Sequence, residues 1–439
     1  MVYRRPRGTV DWYGDELAQL NEVVDKLMSI AKCYGFSEIV PPTFESLELF
    51  QKFVGDTTDV VQKELYTFID KKGRQMALRP EGTSSVVRAY VENKLFANKS
   101  SVTKLCYFLN LFRYERPQNG RLREFHQFGI EYLNVDSHLN DIECLIFAQQ
   151  IINLFNLDKY ITLKINYLGD FKQRQSWIQE LKLYFEKFTN ELTEDSIQRL
   201  SKNPLRILDD KVDGKKDFVQ QAPKLDKFLY SDDKKVFNEI LSGLTANNIK
   251  YTIDDNLVRG LDYYTGVVFE FVYTSPITNS ETTLLGGGRY SEVIAQTGGP
   301  NQVGLGFAIG MERLLLALTE TNYTFQTSNV VHLVVGTNGF ATTLSCLPTI
   351  TKLRQDEISV EVDFDSHKKD KCAKFAIRQK AKFFVFITND DLQNNLIKLE
   401  NMCSGEVVNL KLNELHQFLK DNIKGYEKNI LCRCKSSIS

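Results

Sequence analysis

The hydrophobic residues near the start of the chain follow a helical period. Apolar positions recur every three or four residues from 15 to 34, which predicts an amphipathic helix that ends at Gly35. Residues 36 to 40 carry strand-forming side chains. We expect this strand to end at Pro41 and Pro42, because proline cannot donate to a strand ladder.

The next hundred residues are dominated by period-two patterns and short connections. Short strands are predicted around Tyr66 and Met76, and longer ones at 107–112 and 125–133. The polar loop between the two longer strands is rich in proline, asparagine and glycine, which are typical loop residues. Because the connections are short, we expect a largely antiparallel sheet.

The middle of the chain changes in character. Residues 171 to 250 are rich in Lys, Asp and Gln at helical spacing, which predicts a helical insertion within the sheet domain. Strand patterns return at 257–272 and 305–309, and a helix is predicted at 310–319. Runs of strands and runs of helices in one domain are typical of the α+β fold class.

A second, smaller domain is predicted after the polar stretch 320–329, which we interpret as a linker. Beyond it strands alternate with helices, a pattern typical of a small α/β domain. The predicted strands are 330–335, 359–363 and 383–387, and the predicted helices are 341–355, 368–380 and 412–422. We therefore divide the chain into a sheet domain at 1–325, with the insertion at about 171–250, an α/β domain at 330–425 and a tail at 426–439.

Composition narrows the possible functions. The 439 residues carry a formal net charge of -1, with 42% hydrophobic and 25% charged residues. This is typical of a soluble protein, in which any nucleic-acid binding uses local patches. The eight cysteines include no C-x-x-C pair, and Cys432 and Cys434 are poorly spaced for a metal, so we expect reduced thiols and no metal site. With no apolar run of membrane length and no leader at Met1, we expect a cytoplasmic protein.

The segment from 112 to 131 carries the strongest chemical signal. It packs arginines, glutamates, glutamines and a histidine around a strand, loop and strand, which is more charge than a buried hairpin holds without a ligand. Phe125, Gln127 and Glu131 fall on one face of the second strand. Arg113, together with the loop arginines, offers planar forks for phosphate or carboxylate. We interpret this segment as a pocket for a flat, anionic, nitrogen-bearing ligand.

Three further segments combine glycine with charge. In residues 78 to 83 a carboxylate and a hydroxyl meet at a glycine turn, where a helix cap made by Thr83 and a ligand role are both open. In residues 257 to 264 Arg259 lies beside a glycine, and the alternative to a ligand role is a structural ion pair. In residues 304 to 318 a strand runs into a helix that has Arg313 in its first turn. A cation is unfavourable there, so a bound anion is indicated.

Together these segments resemble the bacterial type of the histidyl-tRNA synthetase family, a class II aminoacyl-tRNA synthetase family, from Arg7-Gly8-Thr9 to about residue 422. Residues 112–131 look like class II motif 2 and 304–318 like motif 3. Pro42 ends a segment similar to motif 1, which the family uses at its dimer interface. Residues 257–264 and 286–290 resemble two histidine-specific signatures. The resemblance implies an antiparallel class II catalytic domain, a C-terminal anticodon-binding domain and a homodimer.

The resemblance also implies how the pocket is divided between two substrates. Arg113 would grip the α-phosphate of ATP and Phe125 would stack on adenine. The ATP site would also include Glu115, Arg121 and Arg313, and Mg²⁺ would bridge the phosphates.

For histidine, the resemblance implies a set of residues on the other side of the reacting atoms. Arg259 would be catalytic together with Arg113, offsetting the charge that develops between the histidine carboxylate and the α-phosphate. The amino group would be held by Glu81, Thr83 and Gln127, and the imidazole would be read by Glu131 and Tyr264, with Tyr263 and Tyr290 nearby.

The implied reaction joins L-histidine to ATP, giving histidyl-adenylate and pyrophosphate, and then transfers histidine to the 3′ end of tRNA(His). We expect tRNA contacts at Arg116 and Gln118 in the motif 2 loop. In the C-terminal domain we expect them at Lys368, Lys369 and Arg378, within a lysine-rich run that continues to Lys382. The alternative for that run is a solvated helix surface, because Asp370 and other acids dilute its charge.

Three sites depart from the family pattern, and two alternatives compete with it. Asn110-Leu111 stand where a Gly-Pro pair is usual, Ser291 stands where an aspartate is usual, and Tyr13-Gly14 stand where a Leu-Pro pair is usual. One alternative is the synthetase-like regulatory subunit of ATP phosphoribosyltransferase, which typically lacks an anticodon domain and usually has aspartate at the position of Glu81. The other is a prolyl or threonyl enzyme, against which residues 259–264 argue.

Overall fold

The computed structural model describes residues 3–55, 58, 60–97, 102–118, 120–208, 210, 212–260, 263–326 and 331–423. These residues form two compact units. The first contains the described residues up to Tyr13 and from Gln19 to Phe325, and the second contains Gly14–Ala18 and those from Gln326 onward. The predicted tail at 426–439 and residues 327–329 of the predicted linker lie outside the described residues.

The first unit is built on strands that are mostly short near the N-terminus and long in the middle. They are β1 (Ser37–Glu38), β2 (Phe44–Ser46), β3 (Thr67–Ile69), β4 (Gln75–Leu78), β5 (Thr103–Phe112), β6 (Glu124–Leu133), β7 (Ile161–Tyr167), β8 (Thr252–Ile253), β9 (Tyr264–Thr274), β10 (Glu281–Tyr290) and β11 (Gly304–Gly310). Its helices, with the start of the first assigned to the second unit, are α1 (Gly14–Cys33), α2 (Leu47–Val54), α3 (Thr83–Glu92), α4 (Leu139–Leu154), α5 (Phe171–Phe185), α6 (Glu194–Lys202), α7 (Leu205–Leu208), α8 (Asp217–Gln220), α9 (Ser231–Ala246), α10 (Val293–Gln296) and α11 (Met311–Glu320).

The main sheet has eight strands in the order β1-β5-β6-β11-β10-β9-β7-β8. Its neighbours are antiparallel except for the outer pairs β1–β5 and β7–β8, which are parallel. A separate three-stranded antiparallel sheet has the order β2-β4-β3. The predicted antiparallel α+β architecture is confirmed, and β6, β11, β10 and β9 form the centre of the main sheet.

The helical insertion predicted at 171–250 consists of α5 to α9. It begins at a capping box in which Asp170 accepts from the Gln173 amide at 2.8 Å and Gln173 accepts from the Asp170 amide at 2.6 Å. The insertion packs around Trp177, a fully buried residue of α5.

One predicted strand was wrong in part. The strand expected to begin at Leu257 begins at Tyr264, and residues 257 to 260 are irregular. A turn precedes them, in which the Leu257 amide donates to the Asp254 carbonyl oxygen at 2.9 Å. Leu257 and Val258 are instead buried in the core of the helical insertion. Their apolar character therefore reflects packing against helices and not a place in the sheet.

The second unit is a five-stranded mixed sheet with helices. Its strands are β12 (Leu333–Thr337), β13 (Val360–Val362), β14 (Phe383–Ile387), β15 (Ile397–Asn401) and β16 (Val407–Leu410), and its helices are α12 (Phe340–Gln355), α13 (Lys369–Arg378) and α14 (Asn389–Asn394), followed by helical residues 415–423. In the order β13-β12-β14-β15-β16 the first three strands are parallel, as the alternating pattern predicted. The antiparallel pair β15 and β16 was not predicted. None of the described helices is both long and apolar enough to cross a membrane.

Candidate active site

A cavity of about 440 Å³ lies over the centre of the eight-stranded sheet. Every residue that the family resemblance assigned to ATP or histidine lines this cavity. These residues are Glu81, Thr83, Arg113, Glu115, Arg121, Phe125, Gln127, Glu131, Arg259, Tyr263, Tyr264, Tyr290 and Arg313. The fold thus brings together segments that are separated by up to 232 positions in the sequence.

Glycines make room for the polar side chains on the cavity floor. Gly306 pairs with Glu131 across β11 and β6, and a Cβ on Gly306 would lie 2.2 Å from a Glu131 carboxylate oxygen. A Cβ on Gly286 would lie 2.5 Å from Nη1 of Arg259. The glycine run at 286–288 combines a bulge with a close approach of a side chain. It meets a register shift after Gly288 and gives Arg259 its space.

Glu131 is the most deeply buried acid of the cavity, with 1% of its surface exposed. Its two oxygens accept hydrogen bonds from the Thr83 hydroxyl at 2.6 Å and from the Tyr290 hydroxyl at 2.7 Å. Burial raises the pKa of Glu131 to about 8, although these two donors oppose the shift. The site therefore holds an acid whose ionised form a ligand stabilises by bringing a cation or another donor.

Tyr107 completes this cluster and was missed by the sequence analysis. It is fully buried on β5, and its phenol adjoins Thr83 and Glu131. Its ring fills the space above Gly82 and Gly129, where a Cβ would lie 2.5 Å and 2.2 Å from the ring carbon that bears the hydroxyl. Burial raises the pKa of Tyr107, so its hydroxyl stays protonated and can donate. The two facing glycines were the signal that could have identified it.

The turn that precedes α3 is held by Glu81 and not by Thr83. The Glu81 carboxylate accepts from the backbone amides of Thr83 and Ser84, both at 2.7 Å. These amides are the unpaired donors of a helix N-terminus, so Glu81 caps α3. The helix cap that we considered for Thr83 was therefore wrong, because the Thr83 hydroxyl donates into the cavity to Glu131.

Three tyrosines form one wall of the cavity. The rings of Tyr263 and Tyr264 lie 4.6 Å apart, and those of Tyr263 and Tyr290 meet edge to face at 5.7 Å. Burial raises the pKa of all three, so each hydroxyl remains a hydrogen-bond donor. An apolar wall with protonated hydroxyls suits a small ring that carries nitrogen acceptors.

Arg259 forms the ion pair that we had weighed as its alternative role. Its partner is Glu270 on β9, which also accepts from the Thr283 hydroxyl at 2.7 Å. Both residues line the cavity, and Arg259 also lies 5.8 Å from the ring of Tyr264. Glu270 was missed by the sequence analysis, although it is a lone carboxylate in an apolar strand. The pair fixes a guanidinium at the cavity wall.

A second group of cations lies on the side of the motif 2 hairpin. Arg113 donates to the Pro80 carbonyl oxygen at 2.9 Å and lies 5.4 Å from the ring of Phe125. Arg121 pairs with Glu115, and Arg313 donates to the Thr283 carbonyl oxygen at 2.7 Å. Burial lowers the pKa of Arg313, and the neighbouring Arg121 lowers it further.

The positive charge of this group of arginines indicates which kind of ligand it can bind. Burial is the main cause of the lowered pKa of Arg313; repulsion from nearby guanidinium groups adds to it, and nearby carboxylates oppose it. A polyanion placed between these groups would remove the repulsion and accept charge-assisted hydrogen bonds. This part of the cavity is suited to phosphate groups next to the flat face of Phe125.

The motif 2 loop closes over this region as a tight turn. Gln118 and Arg121 exchange backbone hydrogen bonds at 2.9 and 3.0 Å. Arg116 and Gln118, the residues expected to contact tRNA, are exposed at the tip of the loop. Neither is among the described residues that line the cavity, so any ligand that they bind lies outside the cavity.

Two of the departures from the family pattern, Asn110 and Ser291, make hydrogen bonds within the protein. Asn110 accepts through its side-chain oxygen from Arg79 at 2.6 Å, and its carbonyl oxygen accepts from the same guanidinium at 2.8 Å. The Arg79 side chain also donates to the Pro41 carbonyl oxygen at 2.7 Å. The Ser291 hydroxyl accepts from Thr265 at 3.3 Å. Asn110 thus helps to hold the turn that leads to Glu81.

Comparisons with known proteins identify the family of this chain. The family model described as histidyl-tRNA synthetase matches residues 8–314, and the one described as anticodon binding domain matches residues 333–422. The chain is 42% identical over 414 residues to the histidine–tRNA ligase of Ureaplasma parvum serovar 3, covering 94% of this chain and 98% of the relative. It is 40% identical over 421 residues to that of Malacoplasma penetrans, covering 96% and 99%.

A solved structure gives the same answer for the fold. The crystal structure of apo histidyl-tRNA synthetase from S. aureus aligns with a TM-score of 0.81 at 33% identity, and the match covers 95% of this chain and 100% of that one. Family model, relatives and solved structure therefore agree over nearly the whole length. The chain belongs to the histidyl-tRNA synthetase family.

Proposed function

We propose that this protein is a histidine–tRNA ligase that uses the cavity over the main sheet for both steps of the reaction. A carboxylate oxygen of histidine attacks the α-phosphorus of ATP, and pyrophosphate leaves. A hydroxyl of the terminal tRNA ribose then attacks the activated carbonyl carbon, and AMP leaves. The single observation that carries the proposal is that one cavity joins the Glu131 cluster to the Arg113, Arg121 and Arg313 cluster, with Arg259 on the same wall.

On the nucleotide side, adenine stacks on Phe125 and the α-phosphate accepts from Arg113. Arg121, Glu115 and Arg313 line the remainder of this subsite. The triphosphate supplies the negative charge that this cluster of arginines lacks. Its binding is therefore stabilised electrostatically, and it relieves the repulsion that helps to lower the pKa of Arg313.

On the amino-acid side, the imidazole donates to or accepts from Glu131 and Tyr264, between Tyr263 and Tyr290. The ammonium group lies toward Glu81, Thr83 and Gln127. A ring that cannot hydrogen-bond would leave Glu131 and the tyrosine hydroxyls short of partners in a buried site, and this penalty is the source of specificity.

Magnesium enters with ATP as its counter-cation. The carboxylates of the cavity are already engaged, Glu115 with Arg121 and Glu270 with Arg259. Among the described residues no group of three or more His, Cys, Asp and Glu side chains is placed to hold a metal ion. We therefore assign the cation mainly to the phosphate oxygens, where it neutralises charge.

The regulatory-subunit alternative is less favoured. The chain carries Glu81 where that class usually has aspartate, and residues 333–422 match the anticodon-binding family. We propose a cytoplasmic location, which the free thiols of the six cysteines among the described residues support.

Isotope exchange tests the proposed function. We expect labelled pyrophosphate to exchange into ATP when histidine is present, because adenylate formation is reversible. Proline and threonine, assayed under the same conditions, are the controls. Exchange driven by either control and not by histidine would contradict the proposal.

Binding of tRNA is supported by an exposed aromatic edge in the second unit. Parallel strands β12 and β13 end at the same edge of their sheet, and Phe340 and Phe364 follow these ends with 79% and 61% of their surfaces exposed. Lys368 and Lys369 are exposed at the start of α13, a few residues after Phe364. Aromatic rings beside cations suit unpaired bases and their phosphates. We propose that this edge, together with Arg378 on α13, binds the anticodon.

The rest of the lysine-rich run contributes unevenly. Lys371 and Lys374 are exposed on α13, but the Lys382 ammonium donates to the Asn422 carbonyl oxygen at 2.9 Å. The acidic Asp365 and Asp370 lie among the exposed residues of the same edge. The edge is therefore only moderately basic, and stacking supplies a large share of the binding.

Alanine at both Phe340 and Phe364 tests this edge. Base–aromatic stacking contributes ~1–3 kcal/mol per base, so the KM for tRNA in aminoacylation should rise by about tenfold or more. Histidine-dependent pyrophosphate exchange should stay unchanged. Val407→Ala, at an exposed position on β16, is the matched control. An unchanged tRNA KM in the double variant would rule out this edge.

An exposed apolar face supports the homodimer. Val40, Phe44, Phe68 and Ile69 are exposed around the three-stranded sheet β2-β4-β3, and the rings of Phe44 and Phe68 meet edge to face at 5.8 Å. This face adjoins Pro42, at the end of the segment that resembles motif 1. Exposed apolar side chains clustered in this way are typical of an interface, and a second copy of the chain is the partner that we propose.

Sedimentation tests this interface. Each chain has a mass of 50.5 kDa, and we expect the wild-type protein to sediment at twice that mass. Ile69→Asp should yield monomers, because a carboxylate would be buried unpaired in the interface. Ile277 is equally exposed at 70% but lies elsewhere, so Ile277→Asp should remain a dimer. A dimeric Ile69→Asp protein would place the interface on another face.

A further inference from the structure

The helical insertion and the histidine-binding segment share one hydrophobic core. Trp177 and Leu205 of the insertion belong to the same buried cluster as Val258, Tyr264 and Val268. Residues 257 to 260 are irregular, and 261 and 262 lie outside the described residues. The described residues of the segment at 257–264, which include Arg259 and the two tyrosines, therefore pack on the insertion through Val258 and Tyr264, and Tyr264 also begins β9 of the sheet.

Arg174 connects the insertion to this segment by a direct hydrogen bond. It lies on α5, is 9% exposed, and donates from Nη1 to the Tyr264 carbonyl oxygen at 2.5 Å. Its guanidinium lies 5.8 Å from the ring of Phe171. The capping box of Asp170 and Gln173 fixes the end of α5 from which Arg174 projects. A rigid helix end thus delivers a charged donor to the backbone of a histidine-site residue.

Arg206 makes a second connection four residues earlier in the segment. It lies on α7 and donates from Nη2 to the Gly260 carbonyl oxygen at 3.0 Å. In the sequence, the carbonyl groups of Gly260 and Tyr264 lie before and after Tyr263. Two insertion arginines therefore hold the segment on both sides of a tyrosine that lines the active-site cavity.

A second cavity explains why these hydrogen bonds matter. Its volume is about 340 Å³, and it lies between the insertion and the segment, bounded by Arg174, Leu205, Val258 and Tyr263. Open space behind the segment means that close packing does not support it over this area. The directional hydrogen bonds from the arginines therefore act together with the shared core to set the position of the segment, and they are stronger than neutral ones because the donor is charged.

We propose that the helical insertion positions the histidine-binding tyrosines through Arg174 and Arg206, so that its docking on the segment sets the affinity for histidine. This inference rests on the proposed function of the cavity. Arg174 is a positioning residue, since it acts through the Tyr264 backbone and is not among the described residues that line the active-site cavity. The nucleotide subsite, formed by Arg113, Arg121 and Arg313, is held by other elements.

The test separates the two substrates in full-length protein. Arg174→Met keeps part of the apolar stem of the side chain but removes its donors. We expect the KM for histidine in pyrophosphate exchange to rise at least tenfold and the KM for ATP to change less than twofold. Arg174→Lys, which keeps a charged donor with a shorter reach, should recover part of the histidine affinity. Arg206 also lines the active-site cavity, so the Arg174 variants carry the test.

A control distinguishes positioning from loss of stability. Leu192 belongs to the same insertion core but is not among the described residues that line either cavity, so Leu192→Ala should lower the melting temperature without changing the KM for histidine. A purely structural role for Arg174 would lower the fraction of active enzyme and leave both KM values unchanged, and that result would overturn the inference. Absence of histidine-dependent exchange in the wild type would instead refute the proposed function, and the inference with it.

Discussion

Replacing Arg259 with histidine is expected to slow histidyl-adenylate formation by about 10²–10³-fold, the usual cost of removing one preorganised charge from a transition state. Arg259 lies on the cavity wall over Gly286, where Glu270 holds its guanidinium in place. Charge develops as the histidine carboxylate and the α-phosphate approach each other, and a fixed cation stabilises that arrangement more than either separate substrate. ATP binding should persist, since its contacts are made by Arg113, Arg121 and Arg313.

Rapid-quench measurement of adenylate in a single turnover gives the rate, and equilibrium dialysis gives the affinity for ATP. Removing one partner of a buried pair leaves the other charge uncompensated, so the melting temperature of each variant must be recorded. Glu270→Gln is the matched control, because it breaks the same pair but keeps the cation. If Glu270→Gln is as slow as Arg259→His, the pair acts structurally. An unaffected rate in Arg259→His would remove Arg259 from catalysis.

Replacing Glu131 with glutamine is expected to raise the KM for histidine by about 10-fold to 150-fold, corresponding to the loss of a hydrogen bond to a charged group of ~1.5–3 kcal/mol. Glu131 accepts from Thr83 and Tyr290 at the bottom of the cavity, and glutamine offers only one acceptor oxygen there. The KM for ATP should be unchanged. In a double variant that combines Glu131→Gln with Gln127→Glu, the added carboxylate on the same strand face should not restore the affinity for histidine. A normal KM for histidine in Glu131→Gln would contradict the role of Glu131.

The same substitution should alter the dependence of stability on pH. Because burial raises the pKa of Glu131 from 4.5 to about 8, the stability contributed by its protonated form is complete below pH 4.5. It is lost as the pH rises through about 8. The slope is at most ~1.4 kcal/mol per pH unit. We therefore expect the urea midpoint of ligand-free wild type to fall relative to Glu131→Gln between pH 5 and pH 8. Parallel midpoints would show that Glu131 is already ionised at pH 5.

Local sequence was sufficient for the elements that carry the site. The period-two alternation of β6 placed Phe125, Gln127 and Glu131 on one face, and all three line the cavity. The helix α11 began one residue from its predicted start, because the glycine and the amphipathic pattern that define it are local. The family resemblance joined these segments into one site before any pairing was known.

Local sequence failed where apolar character had two explanations. Leu257 and Val258 read as strand residues, but they are buried against the helical insertion. An apolar run in the sequence does not show whether a sheet or a helix will cover it. Glu81 and Thr83 show the same difficulty for polar groups, since both suit a helix N-terminus and the structure uses Glu81 for the cap and Thr83 for the cavity.

By itself the sequence determined the family, the fold class, and the face of β6 that lines the cavity, because periodicity and motif spacing are properties of neighbouring residues. Only the tertiary structure decided which distant residues contact one another. Thr83 meets Glu131 across 48 positions, Tyr290 meets it across 159, and Arg174 reaches Tyr264 across 90. These contacts depend on β6, β11, β10 and β9 lying side by side and on the insertion docking behind them. That order of strands follows from the packing of the whole domain, which no short segment of the chain encodes.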